Sequence, residues 1–484
     1  MGVPGYFSYA RRVCKTAVKR ASDSSVPRFD ALYVDFNCLV HNAVTPSATT
    51  EDVVRGAIRL LGDVAAEVGA PDVIVCADGV CPEAKMAQQR NRRFMAVKRD
   101  VAVGASGGFD RNKITPGTAF MRTLDRTVGE ELRRNPPGGR EYAYSGSDVP
   151  GEGEQKIMED IRKRKDEDRR VCIYGLDADL VLLCGCLKAQ GIRSPWLCRE
   201  ELSDGSLTFV DTDMLVQHVS GSQEWNHVIC SFLCGNDFLP PLSCLDVTKD
   251  LHRMREICHR NSLSLVRDGG TSVNWRDVGV LLEALAETED SDFRRADAEH
   301  WAASPPPCSD AMDRWDNYPS FHKDDSCRAI RPGEPDWRTR YYVSLFGLRN
   351  PSTIRRITGE YIRGLQWTFD YYRGAFPPSE PPVAWSYPWE YGPTTADLHG
   401  AVRETDNPPW ADLSGLDRPD VPAERLLAFV TPEGSADVLP DHLRRRGPRH
   451  LFPSDARIAT YLHRKAWHCK AVLPRGTPAD VVLL

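Results

Sequence analysis

Short apolar runs alternate with longer helical patterns over the first half of this chain. Apolar runs typical of buried strands occur at residues 32–37, 72–78, around 143 and at 171–174. Residues 51–68 carry apolar side chains at helical spacing and stop before Gly69-Ala-Pro71, and a second helix is predicted from Glu154 to Lys165. This alternation predicts an α/β fold, with a mostly parallel twisted sheet covered by helices on both faces.

The second half of the chain is predicted to be mainly helical and rich in loops. Helical spacing recurs at residues 251–265, 278–285, 339–346 and 354–372. The polar, proline-rich stretch from Ser304 to Pro335 favours a loop or linker. We therefore divide the chain into a core of residues 1–245, a helical and proline-rich connecting segment of residues 246–336, and a C-terminal segment of residues 337–484 that packs on the core.

Composition excludes several classes of protein. The 484 residues are 41% hydrophobic and 27% charged, which is typical of a soluble globular chain with a sizeable core. No apolar run approaches the roughly 18 residues of a membrane-spanning helix, and the N-terminus lacks a secretory signal, so no membrane partner is expected. The 15 cysteines are scattered, which favours reduced thiols in the cytoplasm, or alternatively in the nucleus. The net charge of −6 neither indicates nor excludes a nucleic-acid partner.

Acidic residues follow the apolar runs of the predicted strands. Two of them, Asp177 and Asp179, come directly after the 171–174 run, whose carboxyl end should lie at the ligand-binding edge of a parallel sheet. An isolated Asp-x-Asp pair would more often be a solvated surface feature, but here apolar residues flank it and further acids end other runs. Seven acids share this strand-end or helix-start position: Asp35, Asp78, Glu152, Glu154, Asp177, Asp179 and Asp237.

Acids that meet at one edge of a sheet repel one another unless a cation neutralises them. Mg²⁺ takes oxygen ligands and often bridges to the phosphate groups of a substrate. The pattern therefore predicts a site for two Mg²⁺ ions, of the kind that hydrolyses phosphodiesters. Water would be the nucleophile in such a site, so no catalytic Ser, Cys or His is required.

A stripe of cationic and amide side chains follows Asp78 along one predicted helix. Its members, at positions i, i+4, i+7 and i+8, are Lys85, Gln89, Arg92 and Arg93. Such donors beside a metal site suit a terminal phosphate, with arginine offering bidentate hydrogen bonds. In isolation a solvated basic helix face would be the better interpretation, and closeness to Asp78 along the chain favours the phosphate pocket.

Aromatic residues are concentrated towards the C-terminal segment. Trp367, Tyr371 and Tyr372 lie at helical spacing and are predicted to be core residues. The stretch from Pro377 to Pro393, which contains Trp385, is rich in proline and aromatic side chains. Such a loop could offer a platform on which bases stack, or it could pack on the protein surface, and the sequence leaves both interpretations open.

Several short motifs are distributed along the chain. They are Met1-Gly-Val-Pro4, Val34-Asp-Phe-Asn37 with His41-Asn42, the stretch from Asp78 to Arg93, Ile114-Thr-Pro-Gly-Thr118, Pro150-Gly-Glu-Gly-Glu-Gln-Lys156, Tyr174-Gly-Leu-Asp-Ala-Asp179, Gly235-Asn-Asp-Phe-Leu-Pro240, Gly364-Leu-Gln-Trp367 and Trp385-Ser-Tyr-Pro388. In these motifs the chain resembles the XRN-type 5′→3′ exoribonucleases, which are related to the flap endonucleases and PIN-like nucleases. The resemblance is dense over residues 1–245 and moderate over residues 337–395, and it implies a PIN-like 5′ nuclease core.

The resemblance implies hydrolysis of single-stranded RNA that carries a 5′ monophosphate, one nucleotide at a time, as in RNA decay, with Mg²⁺ or alternatively Mn²⁺ as the metal. It implies that the acids named above bind the metal ions and are catalytic, and that the C-terminal segment completes the active site. It assigns the 5′-phosphate pocket to Lys85, Gln89, Arg92 and Arg93. It also assigns stacking on the terminal bases to His41 and Trp385, and for His41 this assignment rests on the resemblance alone.

The large cytoplasmic members of this family continue through several further domains, whereas this chain ends at residue 484. We therefore expect a short, monomeric member, such as a virus or a reduced genome would encode, and the sequence does not identify its protein partners. Two other functions are weighed against this expectation. A flap-type 5′ nuclease acting on DNA would have similar metal acids, and a catalytically inactive RNA-binding scaffold would be expected to lack some of them.

Overall fold

A seven-stranded sheet forms the centre of the protein in a computed structural model. The structure describes residues 2–105, 107–201, 205–347, 350–377, 380, 383–403, 406–444, 451, 453 and 455–481. The strands of this sheet are β1 Val18–Arg20, β2 Ala31–Asp35, β3 Asp72–Cys76, β4 Glu141–Ser145, β5 Val171–Tyr174, β6 Trp196–Glu200 and β7 Leu207–Val210. Two small hairpins pair β8 Val266–Arg267 with β9 Ser272–Val273, and β10 Ile458–Ala459 with β11 Lys470–Ala471.

The strands of the large sheet follow the order β1-β7-β6-β5-β2-β3-β4. Strands β2 to β6 are mutually parallel, and β7 runs antiparallel to both of its neighbours, β6 and β1. Because helices also cover both faces, the predicted mostly parallel α/β fold is confirmed.

Strand β2 lies at the centre of the sheet, and all of its residues are buried. Its register aligns Ala31 with Asp72 of β3 and with Val171 of β5, so the carboxyl ends of these strands reach the same edge. The chain runs from β2 outward to β3 and β4, and then returns to place β5 on the other side of β2. The edge between β2 and β5 is therefore a topological switch point, where parallel sheets bind ligands.

Helices form most of the second half of the described chain. The α-helices are α1 Tyr6–Val13, α2 Phe36–Asn42, α3 Thr50–Val68, α4 Glu83–Val103, α5 Ala119–Arg134, α6 Gly153–Lys163, α7 Leu180–Ala189, α8 Thr212–Ser220, α9 Glu224–Leu233, α10 Val247–Arg260, α11 Trp275–Ala286, α12 Glu289–Ala302, α13 Ala311–Asp316, α14 Tyr318–Phe321, α15 Trp337–Phe346, α16 Pro351–Arg373, α17 Thr395–Val402, α18 Ala423–Val430 and α19 Asp441–Arg444. None of these helices combines the length and the apolar character needed to cross a membrane.

Local sequence signals set the ends of several helices. Thr118 caps α5, because its Oγ1 accepts a hydrogen bond of 3.1 Å from the backbone amide of Met121. Gly374, which has a φ of 80°, ends α16 in the left-handed conformation that glycine adopts without strain. The helices predicted at residues 51–68 and 354–372 are confirmed as α3 and α16.

Two large apolar cores lie on opposite faces of the sheet. The side chains of β2 alternate between them, with Ala31 and Tyr33 in one core and Leu32 and Val34 in the other. Helices α7, α9, α10 and α16 contribute to the first core, and α3 and α5 contribute to the second. The first core also contains the α16 aromatic residues that the sequence predicts to be buried, and that prediction is confirmed.

The prediction of a loop or linker from Ser304 to Pro335 is wrong in part. This stretch contains the short helices α13 and α14. Asp310 begins α13 by accepting a hydrogen bond of 2.8 Å from the amide of Asp313, and Trp315 is buried. Helical periodicity cannot be recognised over one or two turns, so proline content dominated the sequence pattern. The boundaries at residues 245 and 336 stay a prediction.

Candidate active site

Asp35 and Asp78 lie near each other at the carboxyl ends of β2 and β3. Asp35 is the last residue of β2, and its Oδ2 accepts a hydrogen bond of 3.0 Å from Cys38 Sγ. Asp78 Oδ2 accepts a bond of 2.8 Å from Asn37 Nδ2, and Asn37 Oδ1 accepts one of 3.1 Å from the amide of Asp78. These local bonds fix both carboxylates at the switch point.

Gly153 allows α6 to approach these carboxylates. A Cβ at this position would lie 2.8 Å from the carbonyl oxygen of Cys76 and 3.2 Å from Asp35 Oδ1, so only glycine fits without a shift of its neighbours. The amide of Gly153 donates a hydrogen bond of 2.7 Å to Asp78 Oδ1. Because Gly153 is the first residue of α6, the positive end of the helix dipole faces the acids, and Glu152 and Glu154 are held close by.

Three acids form the tightest cluster. Carboxylate oxygens of Glu154, Asp177 and Asp179 all lie within 4.8 Å of one another. Asp179 Oδ1 is buried and has no hydrogen-bond partner among the residues that the structure describes. A buried carboxylate oxygen without a partner is costly, and a bound cation would satisfy it.

Lys85 connects two further acids. Its Nζ lies 2.7 Å from Glu152 Oε1 and 2.9 Å from Asp237 Oδ2. Burial alone would lower the pKa of Lys85, but Glu152 and Asp237 outweigh burial and raise the pKa well above its usual value. Lys85, which the sequence assigns to the phosphate pocket, therefore lies inside the acid cluster, and its role in phosphate binding stays a prediction.

Two tyrosines of α16 contact the acids, although the sequence analysis assigns them only a packing role. The Tyr371 hydroxyl donates a hydrogen bond to Glu152 Oε2, and the Tyr372 hydroxyl donates one of 3.2 Å to Asp179 Oδ2. The sequence could have indicated this polar contact, because a tyrosine on a buried helix face usually forms a hydrogen bond through its hydroxyl. The C-terminal segment thus reaches the acid cluster through α16.

The clustered acids are costly to ionise together. Burial and the neighbouring Asp78 raise the pKa of Asp35 to about 8, and burial and Asp177 raise the pKa of Asp179 to about 6. Burial and Asp179 also raise the pKa of Glu154 well above its usual value. A buried set of oxygen ligands with this much negative charge fits a hard divalent cation.

The predicted phosphate-binding stripe lies on α4 beside the acids. Arg93 Nη2 donates a hydrogen bond of 2.7 Å to Thr115 Oγ1, and Arg93 Nη1 is buried without a partner in the described part of the chain. Burial and the charge of Arg92 lower the pKa of Arg93 to about 10. Gln89 is half-buried and Arg92 is exposed. The stripe therefore extends from the buried cluster at Lys85 to the surface at Arg92.

His41 lies near the end of α2, and nearby arginines and the acid Asp177 affect its pKa. Burial, Arg92 and then Arg111 lower the pKa of His41 to about 3, while Asp177 acts in the opposite direction. The imidazole is therefore neutral at neutral pH. Arg111 is a further cation of this region that the sequence analysis does not single out, because no spacing pattern relates it to α4.

Trp385 is buried against α16. Its Nε1 donates a hydrogen bond of 3.1 Å to Glu360 Oε2, and its ring centroid lies 5.7 Å from that of Trp367. Only 5% of the residue is exposed. The structure gives Trp385 a packing role, and a stacking role towards a base stays a prediction.

Two family models match this chain. The XRN 5′-3′ exonuclease N-terminus matches residues 1–193, which include all of the predicted acids except Asp237. The Xrn1 helical domain matches residues 309–474, which include α16 and its two tyrosines. The chain belongs to the XRN family. The acids other than Asp237 thus lie in the first matched region, and the two tyrosines that contact the acids lie in the second.

The curated relatives of this XRN-family chain are named 5′-3′ exoribonucleases. The 5′-3′ exoribonuclease 1 of Saccharomyces cerevisiae is 30% identical over 360 residues, which cover 62% of this chain and 23% of the relative. The 5′-3′ exoribonuclease 1 of Homo sapiens is 23% identical over 586 residues, which cover 98% of this chain and 33% of the relative. The chain spans a third or less of the length of these relatives.

A solved structure is similar to part of this XRN-family chain. The catalytic core of Rad2 in complex with DNA substrate is similar with a TM-score of 0.36 and 15% sequence identity, covering 61% of this chain and 77% of that chain.

Proposed function

We propose that this XRN-family protein is a 5′→3′ exoribonuclease that removes mononucleotides from single-stranded RNA with a 5′ monophosphate. One observation carries the proposal: α4 offers cationic donors to the same site in which the acids converge. Lys85 of this helix contacts Glu152 and Asp237, and Arg93 of the same helix has a buried nitrogen without a partner among the described residues. The activity named for the curated relatives supports the proposal.

The proposed cofactor is a pair of Mg²⁺ ions, with Mn²⁺ as the alternative, held by the acids of the cluster. When bound, such ions neutralise the carboxylates and supply Lewis-acid chemistry for the hydrolysis of a phosphodiester. The oxygen-only ligand set and the buried Asp179 Oδ1 support a hard divalent ion. Tyr371 and Tyr372 would orient Glu152 and Asp179 through their hydroxyl groups.

The proposed 5′-phosphate pocket consists of Lys85, Gln89, Arg92 and Arg93. A monophosphate would accept charge-assisted hydrogen bonds from these donors, whereas a 5′ hydroxyl lacks the charge for them. Arg93 is fixed by its bond to the buried Thr115, so the pocket cannot widen easily to accept a triphosphate or a cap. Binding of the terminal phosphate at one end and cleavage at the acids would together set the 5′→3′ polarity and the release of single nucleotides.

Stacking on bases is the proposed basis of sequence-independent binding of a single strand. The neutral ring of His41, whose pKa is about 3, is suited to stacking because it carries no charge to desolvate. Aromatic stacking tolerates every base, since every base has a π face. Trp385 is proposed as the second stacking residue, and a shift of its loop would be needed to expose its ring.

The proposed compartment is the cytoplasm, and the proposed state is a monomer. All 15 cysteines, which lie within the described residues, are free thiols, and most of them are buried. A reducing compartment would preserve such thiols.

The proposed activity is tested with a uniformly labelled single-stranded RNA and the DNA strand of the same sequence, each with a 5′ monophosphate. We expect mononucleotides from the RNA alone, with Mg²⁺ and not with EDTA. Glu154→Gln, which keeps the size of the side chain, should abolish the reaction, and Glu51→Gln on the exposed first turn of α3 is the matched control. Equal degradation of DNA, or discrete internal cuts, would overturn the proposal in favour of a flap-type nuclease.

A further inference from the structure

Helix α4 has a second buried face beside the proposed phosphate pocket. This face is formed by Met86, Arg90 and Phe94, which are spaced by four residues and are all buried. Met86 and Phe94 join an apolar cluster that is otherwise contributed largely by α18 and by the chain that follows it. We call the described residues of this region, 423–444, 451, 453 and 455–481, the C-terminal unit. The helix that carries the pocket thus also packs against the C-terminal unit.

Asn91 binds the C-terminal unit through a reciprocal pair of hydrogen bonds. Its Nδ2 donates a bond of 2.7 Å to the carbonyl oxygen of Ala471, and its Oδ1 accepts one of 3.2 Å from the amide of Ala471. Ala471 belongs to β11, so the Asn91 side chain pairs with this strand as a neighbouring strand would. Asn91 is followed directly by Arg92 and Arg93 of the proposed pocket.

Arg90 makes a second connection to the same unit. Its Nη2 donates hydrogen bonds to the carbonyl oxygens of Leu451 and Pro474, the second at 2.8 Å. Its guanidinium also lies 5.2 Å from the centre of the Phe429 ring. These contacts join the buried guanidinium to carbonyl groups and an aromatic ring of the C-terminal unit and so restrict the rotation of α4 about its axis.

The orientation of the pocket depends on that rotation. A helix turns by about 100° and rises by about 1.5 Å per residue, so residues 90 and 91 cannot shift without moving residues 92 and 93. Arg93 Nη2 donates its bond of 2.7 Å to Thr115, and Nη1 is buried without a partner among the described residues. The contacts of Asn91 and Arg90 with the C-terminal unit therefore contribute to the orientation of Arg93.

We propose that Asn91 and Arg90 are positioning residues that couple the C-terminal unit to the 5′-phosphate pocket, so that docking of this unit sets the affinity for a 5′ monophosphate. The inference rests on the proposed function. Coupling between two sites is reciprocal. A bound 5′ phosphate therefore also stabilises the docked C-terminal unit.

The first experiment measures kcat and KM of Asn91→Ala on RNA with a 5′ monophosphate and on RNA with a 5′ hydroxyl. The loss of two hydrogen bonds should raise KM for the monophosphate RNA about tenfold. The value of kcat/KM for the hydroxyl RNA should stay within about twofold. Lys98→Ala is the matched control: Lys98 is on the same helix and pairs with Asp455 of the same unit at 3.3 Å, but this pair is exposed and should contribute little.

The second experiment measures cleavage of the C-terminal unit by a protease. A 5′-phosphorylated 2′-O-methyl RNA should protect the unit in the wild-type protein, and the same RNA with a 5′ hydroxyl should not. Asn91→Ala should lose this protection. If Asn91→Ala does not fold, Asn91→Asp carries the same test, because it keeps the bond from the Ala471 amide and loses the donor to the Ala471 carbonyl.

Equal losses on both RNAs, or unchanged KM values together with unchanged protection, would overturn the coupling while leaving the proposed function in place. A wild-type protein that does not discriminate between the two 5′ ends would instead reject the phosphate pocket, and the coupling with it.

Discussion

Removing the hydroxyl of Tyr371 tests whether α16, in the second half of the chain, orients an acid of the candidate active site. It donates a hydrogen bond to Glu152 Oε2, while the other oxygen of Glu152 lies 2.7 Å from Lys85 Nζ. Tyr371→Phe removes one oxygen atom and keeps the ring, whose centroid lies 5.1 Å from that of Trp367. The substitution therefore separates the hydrogen bond from the packing of α16.

The size of the effect follows from the charge of the acceptor. A hydrogen bond to a charged group contributes about 1.5–3 kcal/mol. If this energy orients Glu152 for the reaction, its loss lowers kcat by roughly 10- to 100-fold and leaves KM for RNA within about twofold. Burial raises the pKa of Glu152, and the bond from Tyr371 opposes that rise. The acidic limb of the pH–rate profile should therefore move to higher pH in the variant.

The assay is single-turnover cleavage of RNA with a 5′ monophosphate, together with thermal unfolding. Tyr341→Phe is the matched control, because Tyr341 is equally buried and its hydroxyl donates a bond of 2.6 Å to the carbonyl of Gly392, away from the acids. Both variants should lose stability, and only Tyr371→Phe should lose rate. Equal rate losses in the two variants, or a wild-type rate and pH profile in Tyr371→Phe, would refute this reasoning.

Three further substitutions have defined outcomes. Asp179→Asn should raise the free energy of unfolding of the metal-free protein at pH 8 by about 3 kcal/mol, because the pKa of Asp179 is raised to about 6 and its charge is costly at that pH. Calorimetry should show that Mn²⁺ stabilises the wild type and does not stabilise this variant. Arg93→Lys, which loses the bidentate fork, should lower kcat/KM for monophosphate RNA by roughly 10- to 100-fold and leave hydroxyl RNA unchanged. His227, whose pKa burial lowers to about 3, is neutral when folded and charges near pH 6.5 when unfolded. The contribution of neutral His227 to the free energy of unfolding is complete above pH 6.5, and about 2 kcal/mol of it is lost by pH 5. Urea unfolding at the two pH values should show this loss in the wild type and not in His227→Gln. An identical loss in both proteins would contradict the lowered pKa of His227.

Regular patterns along the chain predicted the fold well. Strand β5 has the predicted bounds of residues 171–174, and α3 and α16 match the predicted helices closely. These elements bury one face or both faces of a regular structure, so their apolar residues repeat with its period. The stretch from Ser304 to Pro335 is the counterexample, because α13 and α14 are too short to show a period.

Only those site residues whose positions are set by local secondary structure could be predicted from the sequence. Acids at strand ends, such as Asp35, could be singled out because parallel strands end at one edge. The bond from Tyr371 to Glu152 joins residues 219 positions apart, and the bond from Tyr372 to Asp179 joins residues 193 positions apart. No spacing rule connects such residues. The position of Lys85 between two acids likewise depends on how α4 packs, which its own sequence does not specify.

The most direct test of the proposed function uses one 3′-labelled single-stranded RNA prepared with a 5′ monophosphate, a 5′ hydroxyl or a 5′ triphosphate, each incubated with Mg²⁺ and with EDTA. We predict that only the monophosphate RNA is lost, that it is lost only with Mg²⁺, and that no labelled intermediate of discrete length marks an internal cut. Equal decay of all forms, or decay in EDTA, would contradict a metal-dependent 5′ exoribonuclease with a pocket for the terminal phosphate.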